Sequence, residues 1–373
     1  MSDKTKASIK IKSFSSLELI PGSYSEVFSA AAKHSFFYSR PWVTNYINTV
    51  VEQDKTTYSI LGLEEFNIPK ALLFTQTFRS NQILQYGNKL SCLSNFYASL
   101  SGPIIDYEET NIDELIYEMF HHVISRNPKI DMIDLKPLDN STSTFNAIIS
   151  VLKNHGWITQ EYFCFGNWYL PVHDLDFDDY IAARPSQLRN TLKRKKKKFE
   201  KESNSRIDII TGPNGLQKAV NAFLSIYEKS WKKPEPYPTF LPGLIRTCAE
   251  NGCLRLGVAW VDGKPAAAQL WIVDNGIASI YKLAYDPQYN KLSVGSLLTM
   301  ALMEFVFKED KVRCVDYLTG DDAYKKDWMT HRRERVGVIA FNTRTLAGQF
   351  GAILNISGRS IKQILNRIKN KVK

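Results

Sequence analysis

The sequence predicts an α/β fold with two tandem modules, each a mixed β-sheet flanked by helices. The chain has 373 residues, which is too long for one ordinary domain, and 44% of its residues are hydrophobic, enough to form buried cores. A hairpin pattern occurs twice along the chain, and a strand that leads to an aspartate also occurs twice. Repeated patterns of this kind indicate repeated structural units.

The repeated elements follow the same order in both halves. LGLEEFNIPKALLF around Gly62 and LGVAWVDGKPAAAQL around Gly257 each show an apolar run, a polar turn and a second apolar run. This pattern is typical of a β-hairpin, with Asp262-Gly263 as the second turn. Residues 111–125 and 293–308 have helical periodicity, and each stretch precedes a strand, the first reaching Asp134 and the second Asp316. No G-x-G-x-x-G motif is present, so a doubly wound nucleotide-binding fold is not predicted.

A polar stretch around residues 171–180 marks the predicted join between the modules. We therefore expect an N-terminal module over residues 1–175, a C-terminal module over 176–345 and a basic helical tail over 346–373. The tail carries an apolar stripe at helical spacing, formed by Ile361, Ile364, Leu365, Ile368 and Val372. A basic amphipathic helix of this type either lies on a membrane surface or packs on its own protein, and the sequence leaves both open.

The net charge of +10 is concentrated in two segments. Residues 184–201 contain nine basic residues and one acid, residues 346–373 contain six basic residues and no acid, and the rest of the chain is left at −4. A solvated helix face is the ordinary explanation of a basic run. Seven basic residues within 189–198 exceed what solubility needs and favour a polyanionic partner: a phosphate-rich substrate, RNA or an anionic membrane.

The composition also bounds the compartment and the chemistry. Five cysteines without C-x-x-C spacing indicate reduced thiols in a cytoplasmic protein, and six scattered histidines form no recognisable metal-ligand set. No apolar run approaches ~18 residues, and the first residues lack a signal-peptide core, so we expect neither a membrane span nor secretion.

Two segments of the second half have residues suited to chemistry. In the first, a strand over 277–287 is followed by a turn with Ser293 and Gly295 and then by an apolar helix. A strand, a small-residue turn and a helix start can form an anion site, although any strand-to-helix turn can carry these residues. The second segment, DYLTGDDAYKKDW over residues 316–328, places lysines beside carboxylates after a strand. It is either a pocket that stabilises an anion or a surface loop with solvated charges.

These landmarks together resemble the Gcn5-related N-acetyltransferase (GNAT) group that contains the CelD-like acyltransferases and the Fem-type peptidyltransferases. They are, in order, the basic helix, CLRLGVAWVDGKPAAAQLWIV, YKLAYDP, SVG and GDDAYKKDW, and they cover about residues 180–342. FFYSRPWVTNYI at residues 36–47 and SLSGPI at 99–104 are similar to a more divergent first module of the same architecture.

The resemblance implies transfer of an acyl group from a thioester or ester donor to an amine. In this group the turn before the helix cradles a pyrophosphate. In this sequence Asn290 and Ser293 occupy the first two places of that turn, where Gln or Arg and then Gly are usual. Lys325 after Tyr324 is similar to the functional lysine of Fem-type enzymes, where it could neutralise a tetrahedral oxyanion.

The predicted catalytic residues are Lys325, Tyr285 as acid and Asp286 as base. The predicted donor-binding residues are Lys291, Ser293, Val294, Gly295 and Ser296. The predicted substrate-binding residues are Trp231, Tyr237, Gln269, Tyr281, Asp316, Gly320, Asp322, Tyr324 and Arg189. A structural role is the alternative for several of them, above all for Asp316, whose repeat partner is Asp134.

The function predicted is that of an N-acyltransferase that uses acyl-CoA, needs no metal and acylates a small-molecule or lipid-linked amine, such as a sugar or cell-envelope intermediate. An aminoacyl-tRNA-dependent Fem-type transferase is the first alternative, and tRNA would then be a partner. The second alternative is a non-catalytic scaffold that binds RNA or an anionic membrane. The membrane would be bound through residues 346–373. We expect the protein in the cytoplasm, either free or peripherally associated with the inner face of the membrane.

Overall fold

The computed structural model describes residues 9–78, 87–126 and 129–355. The chain divides into two compact units. Among the described residues, unit 1 comprises 9–39, 56–164 with its two gaps, and 334–355, whereas unit 2 comprises 40–55 and 165–333. Each unit therefore combines separate stretches of the chain. The contiguous modules 1–175 and 176–345 stay a prediction.

The strands follow one another along the chain and are numbered in that order. They are β1 (Ile9–Phe14), β2 (Tyr58–Glu65), β3 (Ile68–Phe78), β4 (Lys89–Cys92), β5 (Ile104–Ile105), β6 (Met132–Asp139), β7 (Trp157–Pro171), β8 (Arg206–Ile210), β9 (Leu254–Val261), β10 (Lys264–Asp274), β11 (Ile277–Tyr285), β12 (Cys314–Asp316) and β13 (His331–Asn342).

The helices are numbered in the same way. They are α1 (Ser25–Ala32), α2 (Arg40–Tyr46), α3 (Glu52–Asp54), α4 (Ile112–Arg126), α5 (Ser143–Asn154), α6 (Phe177–Ala182), α7 (Ser186–Phe199), α8 (Leu216–Lys229), α9 (Phe240–Glu250), α10 (Val294–Lys308) and α11 (Lys325–Trp328). A π-helical turn (Ile47–Val51) joins α2 to α3, and 3₁₀ turns cover Leu17–Leu19, Gly22–Tyr24, Phe36–Tyr38 and Pro287–Leu292. None of the described helices is both long and apolar enough to cross a bilayer.

Unit 1 is built on a mixed sheet with the strand order β1-β2-β3-β4-β6-β13-β7. The pairs β1-β2, β2-β3, β3-β4, β3-β5 and β6-β13 are antiparallel, whereas β4 and β6 run parallel. Helices α4 and α5 cover the sheet with apolar side chains at helical spacing, among them Leu115, Met119 and Ile148, which are fully buried. This face forms the core of the unit.

Unit 2 repeats this plan with the order β7-β12-β11-β10-β9-β8, in which β7 contributes its residues from Phe165 onward. Only β11 and β12 run parallel among the recorded pairs of this sheet. The core joins α10 to the sheet through Leu298, Leu302 and Trp271, all fully buried. Residues 40–55 belong to this unit because Trp42 packs on Phe240, with ring centroids 5.7 Å apart.

The predicted hairpins are confirmed as β2-β3 and β9-β10. The two central residues of each turn have positive φ, 51° and 63° at Phe66-Asn67 and 50° and 72° at Asp262-Gly263, as a two-residue hairpin turn requires. Both hairpins contain one extra residue directly after a proline, at Lys70 and at Ala266. The two Pro-x-Ala sequences, Pro69-Lys70-Ala71 and Pro265-Ala266-Ala267, therefore form a repeated β-bulge.

The repeat extends to the parallel pairs. Strands β4 and β6 pair over three residues and end with Ser91 opposite Asp134, while β11 and β12 pair over three residues and end with Ser279 opposite Asp316. The predicted equivalence of Asp134 and Asp316 is thus present in the strand register. Of the predicted tail, residues 346–355 are helical. The predicted stripe from Ile361 to Val372 lies outside the described residues.

Candidate functional site

Strands β11 and β12 of unit 2 separate shortly after they begin to pair. Their last paired residues are Ser279 and Asp316, after which β12 ends while β11 continues to Tyr285. Tyr281 has no partner in β10, because Ile280 pairs with Trp271 and Lys282 with Leu270. A bulge at this position bends β11. The edge of residues 280–285 is thereby left facing a gap rather than a neighbouring strand.

A pocket of about 840 Å³ fills this gap. The β11 side contributes Ile280, Tyr281, Leu283, Ala284 and Tyr285. The segment after β12 contributes Tyr317, Thr319, Asp322, Tyr324, Lys325, Asp327 and Trp328. Gln269 with Gly295, Ser296 and Thr299 of α10 form a third side, and Leu188, Tyr227, Trp231, Lys232 and Lys233 complete the lining.

The start of α10 supplies an anion-binding end to the pocket. Ser293 has φ of 53° and precedes the helix without a capping bond from its side chain. Because the first N–H groups of a helix have no acceptor within it, those at Val294, Gly295 and Ser296 can bind a ligand anion. Gly295 and Ser296 line the pocket, the side chain of Val294 is buried in the core, and Lys291 is exposed. Ser293 and Lys291 do not line it.

Gln269 holds this helix start in place. Its Nε2 donates to the carbonyl oxygen of Gly295 at 2.9 Å and to Oγ1 of Thr299 at 2.8 Å, while its Oε1 accepts from Nε1 of Trp271 at 2.9 Å. The side chain is 2% exposed. Gln269 therefore positions the first turn of α10 by bonding it to β10, although part of it still lines the pocket.

Two aromatic residues form a wall beside the helix start. The rings of Trp231 and Tyr285 lie 4.7 Å apart, and a Cβ added at Gly295 would lie 3.5 Å from the Tyr285 ring. Trp231 is 57% exposed, so its outer face is open to solvent. This arrangement places Tyr285 close to the anion-binding end.

Lys325 lies at the opposite wall and is 4% exposed. Its Nζ donates to the carbonyl oxygens of Tyr317, Thr319 and Gly320 at 3.4, 2.6 and 3.1 Å, and lies 3.5 Å from a carboxylate oxygen of Asp322. Burial lowers the pKa of the ammonium group, with the nearby aspartates opposing that shift. The three ammonium protons are thus directed at the turn after β12, which they hold in a fixed conformation.

Asp316 supports the same turn from beneath. Its carboxylate accepts from the backbone N–H of Leu318 and from Nδ2 of Asn167, both at 2.6 Å, and pairs with the Arg333 guanidinium at 2.5 Å. The carboxylate does not line the pocket, so its contacts are those of a structural residue. Gly320, with φ of 105°, allows the turn and offers its carbonyl to Lys325.

A cationic cluster forms the side of the pocket after α8. Lys232 lies 5.5 Å from the Tyr227 ring and 6.0 Å from the Trp231 ring. Burial, followed by the charge of Lys282, lowers the pKa of Lys232 to about 8. Lys282 is paired with Glu235 at 2.9 Å, and Glu235 also accepts from the Tyr227 hydroxyl. The Lys232 ammonium group on this side of the pocket therefore loses its proton more easily than that of an ordinary lysine.

Several predicted site residues lie elsewhere in unit 2. Asp286 accepts from the backbone N–H and from Nε2 of Gln288 at 3.0 and 2.9 Å, so it caps the 3₁₀ turn and does not line the pocket. The Tyr237 hydroxyl donates to Asp54 at 2.6 Å, also away from the pocket lining. Arg189 is exposed on α7 and does not line it. The geometry does not support substrate or catalytic roles for these three.

The basic helix α7 nevertheless lies near the anion-binding end. Nζ of Lys195 donates to the carbonyl oxygen of Lys291, in the turn before α10. Leu188 of α7 lines the pocket. The sequence patterns do not single out Leu188, Tyr227, Lys232, Thr299 or Tyr317, although Tyr317 lies inside the segment 316–328 and Thr299 in the helix after the Ser293–Gly295 turn. No group of three or more metal-ligating side chains occurs among residues 9–78, 87–126 and 129–355.

Comparison with known proteins relates this part of the chain to a known domain type. Residues 186–326 match the model of the acetyltransferase (GNAT) domain, and this match supports a transferase activity. No curated protein matches the chain significantly.

Solved structures share its fold. A crystal structure of FemX has a TM-score of 0.61 at 10% identity, covering 86% of this chain and 96% of FemX. A conserved protein of unknown function from Bacteroides thetaiotaomicron VPI-5482 has a TM-score of 0.55 at 9% identity, covering 89% and 100%. A tandem GNAT protein from the clavulanic acid biosynthesis pathway has a TM-score of 0.47 at 10% identity, covering 88% and 98%. The predicted α/β fold, with mixed β-sheets flanked by helices in two units, is confirmed.

Proposed function

Because residues 186–326 match the model of the acetyltransferase (GNAT) domain, we propose that the chain is an N-acyltransferase that moves an acyl group from acyl-CoA to an amine. One observation carries the proposal: β11 and β12 diverge around a pocket whose one end is the start of α10. The donor pyrophosphate would lie at the N–H groups of residues 294–296, and the pantetheine arm along the open edge of β11. A thioester would then point toward the turn after β12.

The pocket offers groups for both proton transfers of the reaction. The acceptor nitrogen attacks the thioester carbon, the C–N bond forms, the C–S bond breaks, the amine loses a proton and the thiolate gains one. We assign proton donation to Tyr324, which lines the pocket beside Lys325, rather than to Tyr285, which lies at the pyrophosphate end. Asp322, 62% exposed and also in the lining, accepts the amine proton through water.

Lys325 has a double role in this proposal. Its bonds to three carbonyls fix the turn that faces the thioester. Its charge, held in a poorly solvated place, favours the negative oxygen of the tetrahedral intermediate. The first role is one of positioning, and the second requires the ammonium to exchange one carbonyl for the substrate oxygen.

The experiment is calorimetric titration of the full chain with acetyl-CoA and CoA. In Ser296→Asp a carboxylate would stand where the pyrophosphate lies, and we expect affinity to fall at least about tenfold. The control, Ser143→Asp, makes the same change in the first turn of α5 in unit 1. Both substitutions suit a helix start, so both variants should fold. Equal affinity of Ser296→Asp and the control would overturn the donor placement.

A second candidate donor is aminoacyl-tRNA. The observation that favours it is the cationic density of α7, most of whose basic side chains are exposed, beyond what one pyrophosphate needs. Binding of charged tRNA with a steep loss of affinity as salt rises, together with no binding of acetyl-CoA, would favour this donor. Under either donor, we propose a sugar or cell-envelope amine as acceptor and the cytoplasm as the place of action.

A further inference from the structure

The helix at residues 346–355 of unit 1 presents an exposed apolar face. Leu346, Phe350, Ile353 and Leu354 are 83%, 41%, 60% and 41% exposed. Their spacing of i, i+4, i+7 and i+8 places all four on one side of a helix. Soluble surfaces carry single exposed apolar residues routinely, but a contiguous set of this kind marks an interaction surface.

The opposite face of the same helix is fixed to unit 1. Ala352 is 3% exposed and packs with Met132 and Phe341. Gly348 approaches the Asn342 backbone so closely that an added Cβ would lie 2.1 Å from its carbonyl oxygen. Thr345 caps the helix start, because its hydroxyl oxygen accepts from the N–H of Gly348 at 3.1 Å. The apolar face is therefore held outward by a rigid attachment.

The charge of this part of the chain identifies the partner. From residue 343 onward the sequence contains seven basic residues and no acid, beginning with the exposed Arg344. Residues 356–373 lie outside the described structure, and only their composition bears on this point. A second copy of the chain would bring a second excess of positive charge to the same contact. An anionic lipid surface complements both properties, since headgroups attract lysine and arginine while the acyl boundary receives apolar side chains.

We propose that the face formed by Leu346, Phe350, Ile353 and Leu354 docks unit 1 on the surface of an anionic bilayer. The helix would lie in the plane of the membrane interface, with Phe350 and the aliphatic side chains at the boundary between headgroups and acyl chains. The exposed Arg344, two residues before Leu346, would contact the headgroups. The inference does not depend on the acyl donor or on any residue of the pocket.

The test is co-sedimentation of the full chain with vesicles of phosphatidylcholine alone and of phosphatidylcholine with about one third phosphatidylglycerol. We expect binding only to the anionic vesicles, weakening as salt rises. The variant Phe350→Ser/Ile353→Ser should lose at least about tenfold in partition coefficient, because two anchoring side chains leave the interface. The matched control is Phe66→Ser/Ile68→Ser, at two residues that are 60% and 59% exposed in the β2-β3 hairpin of the same unit.

The outcomes separate the occupants of the face. We expect both variants to fold, because the four side chains are 41–60% exposed, and thermal unfolding checks this. Equal vesicle binding by the two double variants would overturn the proposal, and so would equal binding of the wild-type chain to neutral and anionic vesicles. A wild-type dimer in size-exclusion chromatography with light scattering that Phe350→Ser/Ile353→Ser converts to monomer would assign the face to a second copy instead.

Discussion

Replacing Lys325 by methionine tests the central structural claim about the pocket. Methionine keeps the length of the side chain and its apolar stem but removes the ammonium group. The Tyr317, Thr319 and Gly320 carbonyls then lose their shared donor in a site where Lys325 is 4% exposed. The turn after β12 should loosen, because a buried carbonyl without a donor is unfavourable.

The expected magnitude follows from these contacts. Hydrogen bonds to charged groups contribute about 1.5–3 kcal/mol each, but the ammonium also loses hydration on burial, which offsets part of the gain. A net loss of about 3 kcal/mol is expected. For a unit of this size it corresponds to a fall of about 6–12 °C in the midpoint of thermal unfolding.

The assay combines unfolding with transfer kinetics and uses Lys326→Met as control. Lys326 is the exposed neighbour, so the same change there should leave stability within about 0.5 kcal/mol. We expect Lys325→Met to lose about 10²–10³ in kcat, since the turn that faces the thioester is displaced. Lys325→Arg should rescue little, because a planar guanidinium cannot direct three bonds to these carbonyls.

Two results would separate or refute these roles. If Lys325→Met unfolds at the same temperature as Lys326→Met, the reasoning from the three carbonyl bonds is refuted. If Lys325→Arg restores transfer while stability stays low, the charge itself acts on the substrate and the positioning role is secondary.

Two further predictions concern the pocket surroundings. Because the pKa of Lys232 is lowered to about 8 from its ordinary 10.5, the unfolded chain binds more protons than the folded chain between these values, so stability rises with pH in that window. Lys232→Met should therefore be more stable than the wild type near neutral pH and should lack this rise. Thermal unfolding of both proteins across that pH range measures the difference. If the unfolding midpoints of the two proteins change with pH in parallel, the prediction is contradicted. Asp316→Asn should lower the free energy of unfolding by about 2 kcal/mol. This loss is smaller than the loss on breaking a fully buried ion pair, because the Arg333 side chain is 36% exposed. The affinity for acetyl-CoA should stay nearly unchanged. A tenfold loss of affinity at unchanged stability would mean that Asp316 contacts the donor.

The parts of the fold that depend on local chemistry could be predicted from the sequence. Asp262-Gly263 and the Pro-x-Ala repeats are short signals whose structural meaning is set by neighbouring residues. Pairing between distant segments has no such signal. The grouping of residues 40–55 with unit 2 depends on contacts such as Trp42 with Phe240, about two hundred positions apart, and no periodicity in either segment indicates them.

The site, like the fold, could be predicted only where a local sequence signal marks it. The turn before α10 and the segment after β12 were identified by composition, and residues of α10's first turn and of that segment line the pocket. Asp286 was assigned to catalysis, yet an aspartate before a proline is equally suited to capping a turn, and its carboxylate does so in this structure. Lys232 reaches the pocket from the loop after α8 and Thr299 from α10, and no motif in the sequence singles out either residue.

The repeat itself shows why the pocket lies in unit 2. In unit 1 the edge of β6 beyond Asp134 is bonded by the chain's own loop, since Ser101 donates its N–H to Pro137 at 2.8 Å and its hydroxyl to Lys136 at 2.6 Å. In unit 2 the carbonyls that follow the equivalent Asp316 are bonded by the side chain of Lys325. A side chain satisfies these carbonyls without inserting a backbone segment between the strands. The gap beside β11 stays open for that reason, whereas in unit 1 a backbone segment at Ser101 bonds the equivalent part of β6.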